Sequence, residues 1–479
     1  MQKGSIIVIL LHLLLPSIAQ KKNWQNFDLS VDSVFGISTE KAYKTLLVNK
    51  KASCVIVAVI DSGIDTAQED LRFSLWSNSK DGSHGRNFMG FEIGKEDVTN
   101  LASLRKEFYD SLSYTMVPET YRSGYQTFRK ISKDYQGHIE DKLAFLMKLK
   151  ESETIMCNII TKIGKDNPEL DDFKSYTAKD DKEGDVVKII IKKLPYYDGF
   201  ADLKKHELDN LLTMTQYHLD HGLSMQDTGM EMEAYQSNDI RDVENDGVGL
   251  ISDPNYTPYH GTHVSGIIGA ERNNGIGIDG IADHVKIMML KVINNVRELR
   301  DNDLASAIRY AADHGAKVIN LSFGKPYTWN KKVVDAAVQY AMIKDIIIIH
   351  AAGNSGDNLD ILEHYPNPIY ADKKGIARAW IEVGASGWKD DSTLAASFSN
   401  YGKTNVDVFA PGMGIYSTLP FNQYIGWDGT SMAAPVVAGL AALIREYYPK
   451  LTAIQVKDII MRSAIKVNHE VKVGKHRLP

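Results

Sequence analysis

The chain has 479 residues, 43% of them hydrophobic and 24% charged, a balance that gives a soluble globular protein of two or three domains. Its formal net charge of −6 argues against a nucleic-acid partner, whose phosphates call for a basic face. Two cysteines, Cys54 and Cys157, stand neither in a C-x-x-C pair nor beside a histidine cluster, which excludes a disulfide framework and a thiolate metal site.

In chain order, Lys3 precedes the apolar run Ile6 to Leu15, and Ser17-Ile18-Ala19 supplies small residues at positions −3 and −1 of a cleavage site. This reads as a signal peptide over residues 1–19, so the protein is expected to be exported to the medium, the periplasm or the cell surface. An apolar run of about 10 residues is too short to cross a hydrocarbon core of roughly 30 Å, so no transmembrane anchor is expected. Residues 20–51 are too few for a domain of their own, which normally needs about 50. Trp24, Phe27, Val34 and Phe35, with a short helix starting at Thr39, are expected to form an arm on the main body.

Val55 to Ile60 is an unbroken apolar run of the kind a buried parallel strand shows, and it ends on Asp61-Ser62-Gly63. Cys54 opens that strand and is read as a small buried hydrophobe. From Leu101 to Ile240 the pattern changes: 19 Lys+Arg face 25 Asp+Glu, and only 7 of the 36 glycines fall there. Ile139, Leu143, Leu146 and Leu149 recur at helical spacing, and Tyr196-Tyr197 and Leu203 to Leu219 suggest further amphipathic helix. Residues 99–240 are therefore expected to be a mainly helical insertion whose charges make a solvated surface. Its ends join the segments carrying Asp61 and His260, so it is expected at the rim of any site they form.

From Val243 strands and helices alternate. Helices are expected over His260 to Ala270, Asp303 to His314 and Lys332 to Ile343, then after Gly429 and after Leu451. Strands are expected over Val285 to Ile293, Lys317 to Phe323, Ile346 to Gly353, Trp380 to Ala385 and Val406 to Phe409. This rhythm predicts an α/β fold over 52–98 and 241–479, a mostly parallel sheet with helices on both faces.

Three stretches carry chemistry. Gly429-Thr430-Ser431 opens a buried helix, where free N–H groups favour developing negative charge, so Ser431 is a candidate nucleophile; its bland alternative is a helix N-cap. Asp61 ends the first strand, and His260 stands at the mouth of another small-residue helix. Asp65 is a rival acid. His263, a turn deeper than His260, is a rival base.

The order Asp61, His260, Ser431, with His260-Gly261-Thr262-His263 and Gly429-Thr430-Ser431-Met432-Ala433-Ala434-Pro435 around the last two, closely resembles the subtilisin-like serine peptidases. The resemblance covers Trp24 to about Asp97 and about Val243 to Ala464. It implies a serine endopeptidase acting on polypeptides through these three residues and an acyl-enzyme, with no cofactor for catalysis. It implies Asn354 as an oxyanion donor. It implies that Ser322, Phe323 and Gly324 with Ala351, Ala352 and Gly353 bind substrate, their small residues leaving a broad apolar first pocket, although Lys325 replaces a second glycine common in relatives. Asn273-Asn274-Gly275 matches a loop that binds structural calcium in some relatives, with Asp70 and Asn274 as candidate ligands; against this, the family's N-terminal Gln ligand has no match, and the same loop reads simply as a turn. Asp242 to Gly247, with Asp253 at the twelfth position, has part of an EF-hand spacing, but Glu244 and Gly249 make it a plain turn. Many relatives carry a folded pro-domain before the first strand and a glycine-containing strand and helix after the last helix, neither of which has a match here. A silent peptidase-like scaffold whose insertion binds a partner is the alternative of another class, and oligomeric state leaves no trace in the sequence.

Overall fold

The computed structural model describes residues 22–89, 143–144, 146–194, 199–204, 208–209, 212, 257–293, 299–326, 328 and 330–474. The chain divides into two compact units, the smaller built mainly from residues 93–230.

The larger unit is an α/β layer structure. Its strands are β1 (Val55–Asp61), β2 (Gly85–Asn87), β3 (Val285–Lys291), β4 (Val318–Leu321), β5 (Ile347–Ala351), β6 (Trp380–Ser386) and β7 (Val408–Pro411). They form one sheet in the order β2-β3-β1-β4-β5-β6-β7, with every neighbouring pair parallel. Its principal helices are α1 (Tyr259–Gly269), α2 (Asp301–Asp313), α3 (Lys331–Ile343), α4 (Thr430–Tyr447) and α5 (Ala453–Ser463). Val55, Val57 and Val59 of β1 pack in one layer with α1, α4 and α5, while Ala58 and Ile60 pack in the other with α2 and α3. Successive side chains of a strand point to opposite faces, so a strand covered on both sides reads as an unbroken apolar run.

Parallel register brings the carboxyl ends of β1, β4 and β5 to one edge, with Ile60 beside Leu321 and Leu321 beside His350. Asp61 is the last residue of β1, and the segments after β4 and β5 start at Ser322 and Ala352. The expected strand Lys317 to Phe323 ends at Leu321: beyond it Ser322 Oγ bonds the Ser431 carbonyl and the Phe323 carbonyl meets the side chain of His350 instead of a backbone partner on β5.

An antiparallel hairpin of β8 (Ile415–Leu419) and β9 (Gln423–Trp427) has no counterpart in the sequence expectations. It lies on α1, where Ser417 Oγ donates to the His263 carbonyl at 2.7 Å and Thr418 Oγ1 to that of Thr262 at 2.8 Å. Helix and hairpin approach so closely that a Cβ at Gly266 would fall 2.2 Å from Thr418 Oγ1. Ahead of β1, Trp24 is buried and meets Trp388 edge to face, Asn26 Nδ2 donates to the Asp279 carbonyl at 3.0 Å, and a helix spans Thr39–Thr45. Cys54 corrects an expectation: it precedes β1 and is exposed, because pairing of β1 begins only at Val55. Cys157 is likewise exposed, and both thiols are free.

In the smaller unit residues 146–163 are helical, followed by helices at Leu170–Lys174, Asp181–Lys193 and Phe200–Lys204. Leu149, Met156, Ile159, Phe173, Ile190 and Leu203 build a core of its own. Leu146 and Leu149 are buried as their spacing predicts, whereas Leu143 is 46% exposed. Glu183 is buried with its carboxylate on Lys162 Nζ at 3.1 Å and on the Lys179 N–H at 2.6 Å, which compensates the burial. Ile139, Tyr196-Tyr197, residues 213–219 and the loop from Asp242 to Asp253 lie outside the described residues, as does the expected leader over 1–19.

Candidate active site

Asp61, the last residue of β1, is fully buried, and its Oδ1 accepts the Ser62 N–H at 2.7 Å. His260, the second residue of α1, places Nδ1 2.9 Å from Asp61 Oδ1 and 3.1 Å from Oδ2. The helix mouth is clamped to the turn after β1. The Gly261 N–H donates to Ser62 Oγ at 3.2 Å, and a Cβ at Gly261 would lie 2.1 Å from the Gly63 carbonyl oxygen, so only glycine allows the approach. Thr262 Oγ1 accepts from the Asp65 N–H at 2.9 Å, which closes the clamp.

Burial disfavours the charged imidazole of His260, yet the Asp61 carboxylate, by its charge and its hydrogen bond, outweighs it and raises the pKa above the ordinary histidine value. His263 lies in a different setting. It is fully buried, Nε2 sits 3.0 Å from the Ile425 carbonyl, and the ring stacks on Trp427 with centroids 4.6 Å apart. Burial pushes its pKa down to about 3, so it is neutral at physiological pH. Asp65 Oδ1 caps the Ala67 N–H at 2.9 Å and Oδ2 the Phe421 N–H at 2.9 Å, the duties of a turn residue.

Ser431 is the second residue of α4, and its Oγ donates to the Ser322 carbonyl at 3.0 Å; no hydrogen bond among the described residues joins it to His260. In return Ser322 Oγ donates to the Ser431 carbonyl at 2.9 Å. That carbonyl is open because its helical donor would be residue 435, which is proline and has no N–H. The sequence Ser431-Met432-Ala433-Ala434-Pro435 thus ties the start of α4 to the segment after β4.

Asn354, past the end of β5, uses Oδ1 to accept both the N–H and the Oγ1 hydroxyl of Thr430 at 2.9 Å. Its Nδ2 is left without a described acceptor. A methyl group built on Gly429 would lie 3.6 Å from Asn354 Nδ2 and 3.6 Å from the Ser431 nitrogen, so both donors border one small space. Ser322, Phe323 and Gly324 follow the end of β4, and Ala352 and Gly353 follow Ala351 at the end of neighbouring β5. Lys325 turns away from that edge: its Nζ pairs with buried Asp301 at 2.9 Å and donates to the Leu299 carbonyl at 2.8 Å.

For a metal, Asp70 accepts Asn274 Nδ2 at 2.7 Å and the Ile278 N–H at 3.1 Å, and burial raises its pKa. Asp279 and Glu271 add negative charge nearby, which suits a cation, but Asn274 turns its amide nitrogen rather than its oxygen toward Asp70. Asp283, His284 and Glu446 form a second grouping, with ligand atoms within 4.8 Å of one another. Burial, then the charge of Asp283, pushes the Glu446 carboxyl up to about 9, so it keeps its proton against its neighbour at neutral pH.

One polar cluster beside this edge escaped the sequence analysis: buried His350 and Glu382, paired across β5 and β6. The available signal was a histidine and a glutamate, each alone in an apolar strand run.

A parallel α/β sheet that gathers a buried Asp–His pair, a serine at a helix start and converging N–H donors at its carboxyl edge defines a hydrolase-like architecture. The sequence profile of the subtilase family matches residues 52–477, and the chain belongs to that family. It is 40% identical to a thermophilic serine proteinase of Bacillus sp. (strain AK1) over 217 residues, which are 45% of this chain and 49% of that protein. It is 37% identical to subtilisin DY of Bacillus licheniformis over 216 residues, 45% of this chain and 74% of that one. Identity to thermitase of Thermoactinomyces vulgaris is 40% over 185 residues, 39% of this chain and 60% of that one. The match thus spans about half the length of the first of these relatives.

Proposed function

We propose that the chain is an exported serine endopeptidase that cleaves polypeptides through Asp61, His260 and Ser431. Family membership supports the reaction class, and the 2.9 Å bond from His260 Nδ1 to Asp61 is the observation that carries the residue roles. In the proposed reaction Ser431 Oγ turns from the Ser322 carbonyl to His260 Nε2 and gives up its proton as it bonds the substrate carbonyl carbon. Asp61 holds the imidazolium that results. Asn354 Nδ2 and the Ser431 N–H receive the negative carbonyl oxygen. His260 then passes its proton to the leaving amine, the C–N bond breaks, and water repeats the sequence to free Ser431 from the acyl-enzyme.

Substrate would lie as an extended strand along Ser322, Phe323 and Gly324, with its first side chain toward Ala351, Ala352 and Gly353. Those small walls suit a broad range of large apolar side chains. Lys325, engaged by Asp301, does not narrow the slot. Export rests on the leader pattern before Gln20, and no helix among the described residues is long and apolar enough to cross a membrane.

Catalysis in this reading needs no cofactor. The Asp70–Asn274 loop would hold a structural calcium once the Asn274 amide turns its oxygen inward. Removing calcium with a chelator should then lower Tm by several degrees, and by less in Asp70→Asn; an equal Tm with and without chelator excludes the ion.

The contrary observation is that the Ser431 hydroxyl faces Ser322 rather than His260, as it would in a silent scaffold. A phosphonofluoridate probe decides between the two. The enzyme should label at Ser431, found by peptide mass mapping, and cleave casein, and Ser431→Ala should do neither. Purified protein that never labels and leaves casein intact would leave the scaffold reading.

A further inference from the structure

Beneath the edge proposed for substrate lies a buried imidazole with both nitrogens in use. His350 on β5 is 1% exposed and Glu382 on β6 is 4% exposed, and the sheet register sets them side by side. His350 Nδ1 lies 2.7 Å from Glu382 Oε1, and Nε2 lies 2.7 Å from the Phe323 carbonyl oxygen. A carbonyl oxygen only accepts, so Nε2 carries a hydrogen, and one proton is shared between Nδ1 and the carboxylate. Glu382 Oε2 accepts Trp380 Nε1 at 2.9 Å, which completes the chain of partners. Apolar side chains of similar volume would fill this site at least as stably, since two polar groups must be stripped of water to sit there.

What the pair accomplishes is direction. Along an extended chain, successive residues turn their backbone N–H and C=O groups to opposite sides. Phe323 turns its carbonyl onto His350, and Lys325, two residues on, exchanges N–H and C=O bonds with Tyr365 at 2.8 Å each. Ser322 and Gly324 are therefore left facing the other way. The Ser322 carbonyl meets Ser431 Oγ there, and the N–H and C=O of Gly324 make no described hydrogen bond. The ring also lies under Gly324, since a Cβ on that glycine would be 3.8 Å from Nε2.

We propose that His350, held in place by Glu382, is a positioning residue that orients the Ser322–Gly324 edge to pair with an extended polypeptide. This rests on the peptidase reading above and deepens it. Ser322 and Gly324 are two residues apart, so an extended substrate engages both only if it continues two residues beyond the one at Ser431. The class favoured is then an extended chain rather than a single-residue ester or amide.

Two substrates test this in the full chain: a blocked single-residue ester, which ends at Ser431, and a tetrapeptide amide with the same reacting residue, which reaches Gly324. The readout is the ratio of their kcat/KM values, amide over ester. His350→Leu should lower the ratio about tenfold, on the scale of one positioning hydrogen bond, mainly through KM of the amide. His350→Gln, whose amide can still donate to Phe323, should recover most of the ratio, and Glu382→Gln should lower it to an intermediate value. Equal ratios in parent, His350→Leu and Glu382→Gln overturn the proposal. Should His350→Leu fail to fold, an unchanged ratio in Glu382→Gln overturns it as well. A parent that cleaves neither substrate and never labels at Ser431 overturns the peptidase reading and this inference with it; one that labels while the ratio stays fixed overturns the positioning role alone.

Discussion

Among the described histidines that stand beside a carboxylate are His260 on Asp61 at the mouth of α1 and His350 on Glu382 inside the sheet, at 2.9 and 2.7 Å. In both the carboxylate orients the ring through Nδ1. They differ at the other nitrogen. The His260 side chain is 32% exposed and its Nε2 has no described partner, whereas Nε2 of His350 is spent on the Phe323 carbonyl. In the proposed reaction the base needs a carboxylate on one nitrogen and the other nitrogen open to the cleft, and of these two only His260 has both. His263 lacks both features: its Nε2 is spent on Ile425, its Nδ1 is buried, and no carboxylate among the described residues bonds it.

The largest effect expected at the open histidine is on turnover. His260→Ala and Ser431→Ala should each lower kcat by about 10⁴-fold or more, and the double variant should be little worse, because the residues act as a unit. That scale is the one known for the triad of subtilisin, a member of the same family, and is carried over from it. Peptide hydrolysis by purified variants measures it. Full activity in His260→Ala with loss in His263→Ala would reverse the comparison.

Next in size is the effect expected at the proposed oxyanion donor. Asn354→Ala should lower kcat by about 10²–10³ with little change in KM, the cost known for the matching donor in subtilisin. A variant that changes KM alone would place Asn354 in ground-state binding instead.

A smaller effect concerns pH. Because Asp61 raises the pKa of His260, kcat/KM should climb with pH through a midpoint above the ordinary value of about 6.5. Asp61→Asn removes the attraction and keeps the burial, so its midpoint should fall below that value. Stability runs the opposite way. A raised folded-state pKa contributes stability that is fully present below the unfolded-state pKa and is lost as pH rises through the folded one. Urea unfolding across that window should show the parent losing stability relative to Asp61→Asn as pH increases, and parallel curves would mean that the pair is not charged in the folded state.

Smallest for turnover is the buried histidine. His263→Leu gives up the bond to Ile425 and the stack on Trp427, a cost of about 1–3 kcal/mol to folding, while kcat should stay within a few-fold. Loss of activity without loss of stability would mean that His263 does more than pack.

The sequence by itself determined the sheet and the three motifs. Val55 to Ile60 and Ile346 to Ile349 are apolar without a break because both faces of a parallel sheet are covered. His260-Gly261-Thr262-His263 and the stretch from Gly429 to Pro435 are contiguous runs, so their order is legible along the chain, although the approach to Gly63 that Gly261 permits and the bond from Ser322 that Pro435 leaves room for are made only in the fold. Tertiary structure alone decided the rest. His350 and Glu382 are 32 positions apart and meet only through the register of β5 and β6. Cys54 is exposed because strand pairing starts one residue later. The hairpin of β8 and β9 is short and half polar, and it is held by its fit against Gly266, which no periodicity records. Which histidine keeps a nitrogen open depends on what the fold stacks above the ring, because hydrogen-bond partners distant in sequence are chosen by packing and not by neighbours in the chain.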